Sequence, residues 1–442
     1  MGCRRVWLVL VLVAGSALVV VNPLNTQDVS RLSLSRSLAE RGSVDIDPYR
    51  QLTLDRSFRN GHWYSDKAPG VSVLAIPTLE ALRAADALGH DRQPIPVWRR
   101  ETHIWALRFL TGGVALLAST LLVAAAAEAV RPGYWMPVAV TFALGTIAGP
   151  LGITTFGHDP AGALGLAALL SAACGRRKLL PLAGLLAGLA VCFEYQAALI
   201  VAVVAVYAVL RYRLRGLLAY LVGGIAPVIA LGLYNRAAFG SPFHLSYRYV
   251  ANEYSERQHQ GLFGIGAPTA QGAWSLFLDG KGLLVVSPVL VAAAAGLVLL
   301  WRRGFRLEAG ALAAVTVLFL FADMGYFDPY GGASPGPRFF APALPFLAIG
   351  LAEAFHRWPL PTAALALYSI AMTTFDAITW AIANTLRLDV DPTTLWTRGH
   401  LLSTHTGMLL VFTTTAATTA YAGAQLARTR RDDRADNPAL SR

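Results

Sequence analysis

Asp28 follows closely on the first apolar segment of the chain, in Asn25-Thr26-Gln27-Asp28-Val29-Ser30-Arg31. A carboxylate held at a membrane surface can take the proton of an attacking hydroxyl. The same residue also suits a helix start, where Asp caps free backbone N–H groups. Further along, Tyr64-Ser65-Asp66-Lys67-Ala68-Pro69-Gly70 places a lysine ahead of a second helical segment. A lysine there can pair with phosphate oxygens, with helix N-terminal amides adding to the attraction. A solvated turn fits the Pro and Gly equally well. In His158-Asp159-Pro160, Asp before Pro suits a helix start, and His158 can orient a carboxylate or bind a metal, or the pair is purely structural. Asp28 and His158 are the candidate ligands for a divalent metal ion, the one cofactor these residues suggest. Glu194, in Glu194-Tyr195-Gln196, is an ionisable residue at the tip of two short apolar segments, which marks it as a functional candidate. Arg338 stands at the start of another apolar segment, where it can clamp a lipid-linked phosphate or snorkel to ordinary head groups.

The elements that must position these residues are membrane helices. The 442 residues are 55% hydrophobic and 14% charged, with mean hydropathy +0.49. A soluble chain would be roughly a quarter charged. Apolar runs near the length of about 20 residues that crosses a bilayer recur along the chain. The net charge of +11 does not point to nucleic acid, because the basic clusters sit at the ends of apolar runs and no Arg-rich stripe with interleaved aromatics occurs. The three cysteines, Cys3, Cys174 and Cys192, form neither a disulfide framework nor a zinc spacing. There is no P-loop, no dinucleotide-binding glycine turn and no His-Glu-x-x-His. Arg strongly outnumbers Lys, a composition that fits a bacterium.

Hydropathy predicts spans at 6–21, 103–127, 134–154, 160–174, 179–193, 196–210, 216–234, 282–301, 309–324, 339–355, 361–382 and 401–426, about 12 in all by the length criterion. Arg4 and Arg5 ahead of the first span hold the N-terminus in the cytoplasm. That orientation puts Arg131, Arg176, Arg177, Lys178, Arg211, Arg213, Arg215, Arg302, Arg303, Arg306, Arg357 and the basic tail on the cytoplasmic side, as the positive-inside rule requires. The transmembrane domain is expected over 1–427, with a disordered cytoplasmic tail at 428–442. The 23–101 loop then lies outside, with juxtamembrane helices at 28–41 and 70–88, and a second external loop covers 236–281. The aromatics of that second loop, among them Tyr247, Tyr254 and Trp274, fit sugar stacking or an interfacial belt.

In this order the motifs resemble the GT-C superfamily of membrane glycosyltransferases, and most of all the branch of the protein O-mannosyltransferases and the bacterial lipid A aminoarabinose transferases. Asp28 resembles the acid that opens that branch's first juxtamembrane helix. Tyr64-Ser65-Asp66-Lys67-Ala68-Pro69 is similar to its aromatic-Glu-Lys-Pro-Pro segment, and Asp159 to its later acid at the fourth span. Pro337-Arg338-Phe339-Phe340-Ala341-Pro342-Ala343-Leu344-Pro345 looks like Arg-Tyr-x-x-Pro-x-x-Pro. Val29 stands where the family often has a second acid, Ala68 replaces a proline, and Glu194 replaces a common Lys; a soluble C-terminal domain is not apparent.

The resemblance implies an all-α polytopic GT-C fold and an inverting transfer of a sugar from a polyprenyl-phosphate donor to a hydroxyl of a glycan, lipid or protein acceptor, at the outer face of the bacterial plasma membrane. Asp28 would be the general base, Lys67 and Arg338 would hold the leaving phosphate, Asp159 with His158 would orient the acceptor or hold a divalent ion, and Tyr64, Asp66, His158 and Glu194 would line the substrate cavity. On that assignment Asp28→Asn removes activity and leaves the fold intact. A transporter or flippase of lipid-linked sugars is the alternative, since transporters also use broken helix pairs; a non-catalytic scaffold is a third.

Overall fold

The computed structural model describes residues 2–20, 24–88, 101–332, 334–379 and 404–436. Part of the predicted first loop (89–100), the facing ends of the spans predicted at 361–382 and 401–426, and tail residues 437–442 lie outside these. Helix makes up 77% of the structure. The chain opens with α1 (Cys3–Ala17) and then builds a polar cap. In the cap, α2 (Thr26–Arg41) starts at an Asn25 cap: the Asn25 side chain accepts from the Asp28 amide while the Asp28 carboxylate accepts from the Asn25 amide. This reciprocal box satisfies two otherwise free donors and starts the helix two residues before the predicted point. Next comes an unpredicted antiparallel hairpin, β1 (Arg56–Arg59) and β2 (His62–Ser65), pairing Arg56 with Ser65 and Arg59 with His62. Asn60 and Gly61 turn it with φ of 50° and 85°, the left-handed pair that a two-residue Asn-Gly turn requires. α3 (Gly70–Leu88) closes the cap on the predicted boundaries and packs Ala75 and Leu79 against Leu32 and Leu107.

The apolar body follows. α4 (Glu101–Arg108) runs through a π-helical turn, Phe109–Gly113, into α5 (Val114–Val130). α6 (Trp135–Gly145) is buried at every residue, as expected of a helix that is apolar all round. α7 (Ala148–Leu151), α8 (His158–Ala173) and α9 (Leu180–Phe193) are short. At about 1.5 Å per residue, α9 falls well short of a 30 Å hydrocarbon layer. α10 (Ala198–Phe239) is broken at Arg213, whose φ of 63° is not helical, and this break divides the two spans predicted there. Between α10 and the long C-terminal helices lie α11 (Ser255–Gln258), α12 (Ala270–Phe277), α13 (Leu283–Val286), α14 (Val289–Arg302), α15 (Arg306–Gly325), α16 (Leu344–Ala348) and α17 (Leu351–Arg357). The last two described helices are α18 (Pro359–Thr379) and α19 (Thr404–Asp436).

Among the described residues, Thr102–Val130, Tyr195–Phe239 and Arg306–Gly325 are long and apolar enough to cross a membrane, and Arg338–Ala348 with Leu351–Arg357, bent by 55°, forms a fourth candidate. This length criterion returns three or four spans where hydropathy expects about twelve. The difference lies in length: segments such as α6, α8 and α9 are apolar but shorter than 18 residues. The helical run also continues past residue 427: α19 extends to Asp436, and Asp433 accepts a hydrogen bond of 2.6 Å from the Tyr134 hydroxyl. Arg131 and Arg303, two of the residues predicted to share one side of the membrane, meet at the buried Glu353.

Candidate active site

The candidate residues converge where the cap meets the apolar body. Asp28 is fully buried. Its Oδ2 accepts from Arg108 Nη2 at 2.6 Å and from the Asn25 amide at 3.3 Å. Its Oδ1 accepts from the Thr155 amide at 2.9 Å and the Thr155 hydroxyl at 2.7 Å. A carboxylate has about four lone-pair sites, so every one is taken. Burial pushes the Asp28 carboxyl up, but Arg108 and the Thr155 donors outweigh it and hold the group below the usual carboxylate range. The arrangement makes Asp28 a charge-locked tie between α2 and the Thr154-Thr155 turn.

Three residues along α2, Arg31 spans the interface in the opposite sense. Its guanidinium donates to Glu194 Oε1 at 2.6 Å and to Gln27 Oε1 at 2.7 Å, with both ends of the ion pair almost wholly buried. Glu194 caps α9 at the break before α10. His158 Nδ1 lies 3.5 Å from the same Glu194 oxygen, and its ring meets Phe156 and Phe339 edge-on. Phe156 in turn carries two guanidinium groups, Arg31 at 5.8 Å and Arg338 at 5.2 Å from the ring centre, distances at which cation–π attraction acts. The Arg338 Nε is buried with no hydrogen-bond partner, and no carboxylate of a described residue reaches the guanidinium within ion-pair distance.

Lys67 leads out of β2. Its Nζ lies 3.0 Å from Asp66 Oδ2 and 3.3 Å from Asp55 Oδ1, and Asp55 also accepts from the Thr26 hydroxyl at 2.6 Å. Burial raises the Asp66 carboxyl; Lys67 offsets part of this and Asp55 adds to it, leaving Asp66 at about 6. For Asp55, burial is overcome by Lys67, the Thr26 hydroxyl and Arg338, and the group sits below its ordinary value. Asp66 Oδ1 and Asp159 Oδ2 are buried without a partner. Tyr64 turns away from the charges and packs on Phe239, ring centres 5.4 Å apart.

An apolar groove of about 800 Å³ opens beside this cluster, walled by α3, α5, α8, α9 and the second half of α10, with Val73, Leu74, Val114, Ala163 and Leu189 among its lining. Pro69, Pro160 and Phe193 also line it, and these lie next to Lys67, Asp159 and Glu194 in sequence.

Arg31, His158 and Arg338 thus gather around Phe156, Glu194 joins them through Arg31 and His158, and Lys67 and Asp66 form a second group with Asp55, while Asp28 ties down the cap and Asp159 makes no ion pair with any described residue. The Asp28 and His158 pair does not fit a divalent ion: the Asp28 oxygens are occupied, and no group of three His, Cys, Asp or Glu among the described residues could hold a metal. Sequence reasoning missed Arg31, Asp55 and Arg108. Arg108 did carry a signal, a charge within the apolar run Leu107-Arg108-Phe109-Leu110, where an arginine must find a partner.

No family model matches the chain, and no curated protein matches it in sequence. Solved structures do match in fold. ArnT from Cupriavidus metallidurans bound to undecaprenyl phosphate aligns over 98% of this chain and 78% of its own, with 13% identity and a TM-score of 0.51. The apo form of ArnT aligns over 96% of this chain and 76% of its own, with 14% identity and a TM-score of 0.49. The archaeal oligosaccharyltransferase AglB from Archaeoglobus fulgidus, in complex with an inhibitory peptide and a dolichol-phosphate, aligns over 85% of this chain and 56% of its own, with 13% identity and a TM-score of 0.51. These neighbours are GT-C superfamily members, and the fold of this chain is the GT-C fold.

Proposed function

We propose that the protein is an inverting glycosyltransferase that moves a sugar from a polyprenyl-phosphate donor to an acceptor hydroxyl at the outer face of a bacterial plasma membrane, with both termini cytoplasmic. One observation carries the proposal: an apolar groove of about 800 Å³ is lined by Pro69, two residues from Lys67, and Lys67 and Arg338 both act on the same carboxylate, Asp55. A ligand that is greasy along its length and anionic at one end matches both parts. The groove would take the isoprenoid chain; Lys67 and Arg338 would take the phosphate. The lipid phosphates bound to ArnT and AglB support the same ligand class.

In the transfer, the acceptor oxygen bonds to the anomeric carbon from the face opposite the phosphate. The C1–O bond to phosphate breaks, and its electron pair stays on the phosphate oxygen. Lys67 and Arg338 offset the charge that develops there, the position where a fixed cation is most effective. The acceptor proton passes to a carboxylate. Asp28 has no free lone pair, so its role is anchoring, and Asp159, whose Oδ2 has no partner, is the other candidate carboxyl. A transporter would favour a Glu194 free to change partners, and here it is tied to Arg31.

The test is binding of undecaprenyl phosphate to the purified full chain, followed by native mass spectrometry. Binding should be lost in Lys67→Ala and Arg338→Ala, and weakened by Ala163→Trp, which fills the groove. Equal binding in all four proteins would overturn the assignment. Flipping of labelled lipid without bond cleavage would support transport instead.

A further inference from the structure

We propose that Asp66 is a positioning residue for the donor, exchanging its negative charge for a proton as the donor phosphate reaches Lys67. The inference rests on the donor-site reading above and deepens it.

The geometry sets up a competition for one ammonium group. Lys67 Nζ is held by two carboxylates, at 3.0 Å from Asp66 and 3.3 Å from Asp55. A phosphodiester arriving at the same ammonium would be a third anion in a buried site, where like charges interact strongly. The cheapest relief is to neutralise one carboxylate, and the two are not equivalent. Asp55 keeps a second donor, the Thr26 hydroxyl at 2.6 Å, and feels Arg338. Asp66 has Lys67 on one oxygen and nothing on the other, Oδ1, although both lie in the buried core of the cap. A proton on Oδ1 would turn that orphaned acceptor into a donor and supply a hydrogen bond where the site lacks one.

Among the other groups facing Asp66, Arg31 favours the charged carboxylate, but burial and Asp55 outweigh it. Arg31 on α2 adds positive charge, and the phenols of Tyr195, Tyr234, Tyr247 and Tyr326 are within electrostatic reach. Phenols titrate near 10 and stay neutral in the range concerned. Asp66, already at about 6 in the free protein, is therefore the group closest to taking up a proton near neutrality.

Donor binding should then draw in one proton. The probe is farnesyl methyl phosphate, a phosphodiester that remains singly charged from pH 5 to 8, titrated calorimetrically into the full-length protein in buffers of different ionisation enthalpy. For the wild type, affinity should rise as the pH falls from 8 towards 6, at up to about tenfold per pH unit for one coupled proton, with net proton uptake. Asp66→Asn mimics the protonated state: it should bind with little pH dependence and take up no proton. Wild-type binding that is the same at pH 5.5 and 8, without proton uptake, would overturn the proposal, and the wild-type measurement decides this even if the variant does not fold. If such flat binding is still abolished by Lys67→Met, the donor-site reading stands and the proton exchange alone fails. No binding of the probe at any pH overturns both.

Discussion

Replacing Asp28 with Asn tests whether this residue is a base or an anchor. The carboxylate faces Arg108, whose side chain is 3% exposed, and receives both Thr155 donors. Asparagine keeps one acceptor oxygen and places an NH₂ where another donor already points. Arg108 would then lose the carboxylate that accepts from its Nη2 at 2.6 Å. Removing one partner of a buried pair costs about 3–5 kcal/mol, and the hydrogen bonds to the charged carboxylate lie on the same atoms, so they are not added separately. The expected result is a folded-to-unfolded ratio of Asp28→Asn reduced by a hundredfold or more, since about 1.4 kcal/mol is tenfold in an equilibrium constant. Unfolding in mixed detergent micelles measures it. In a cycle with Arg108→Gln, the losses should not add, because the two side chains are in contact; a coupling energy above about 1 kcal/mol is expected for such a pair. Activity per folded molecule should fall much less than stability. The reasoning is refuted if Asp28→Asn is as stable as wild type and inactive, for then the carboxylate is needed for chemistry and not for docking.

Three further outcomes follow from the same geometry. Gly112→Ala would place a Cβ 2.5 Å from the Thr154 carbonyl oxygen and 2.8 Å from that of Gly152; as neither backbone can yield cheaply, the variant should lose about 1–3 kcal/mol, the range for overpacking, and unchanged unfolding would show that the π-helical turn tolerates a methyl group. Arg31→Met leaves Glu194 buried without its partner and should destabilise by about 3–5 kcal/mol, with Arg31→Met/Glu194→Gln closer to wild type; additive losses in that cycle would argue that the pair is not coupled. Asp66, raised from 3.8 to about 6 on folding, binds its proton more tightly when folded, so its contribution to stability is fullest below about 4 and is lost as the pH rises through about 6. Asp66→Asn should accordingly melt higher than wild type at pH 8 and level with it at pH 4, and a pH-independent difference would contradict the raised value.

Period and hydropathy made the helices legible. α3 matches its predicted bounds, and the break at Arg213 lies in the basic cluster between two predicted spans. Local chemistry accounts for the unpredicted start of α2 and the hairpin: the capping box and the Asn60-Gly61 turn each use residues a few positions apart. The ion pairs are a different matter. Asp28 and Arg108 are separated by 80 positions, and Arg31 and Glu194 by 163. No spacing rule connects such residues; each shows in sequence only as a charge in or beside an apolar run. Asp55 reads as an ordinary loop charge because its value comes from Lys67, which the hairpin folds back towards it.

The way α2 is docked also accounts for the most conspicuous departure from the GT-C pattern. α2 buries Leu32 and Leu34 but also Gln27, Asp28, Ser30, Arg31, Ser33, Ser35 and Ser37, so most of its buried surface is polar. Specific polar contacts must fix its position, and they carry opposite signs. Asp28 needs a cation beneath it and finds Arg108; Arg31 needs an anion and finds Glu194. Sliding α2 by one turn would set Arg31 near Arg108 or Asp28 near Glu194, and like-charge contact is an effective bar to a wrong register. A lysine at position 194 would repel Arg31 in the same way. Glu194 instead pairs with Arg31 and holds its guanidinium 5.8 Å from the Phe156 ring centre, where Arg338 also lies at 5.2 Å.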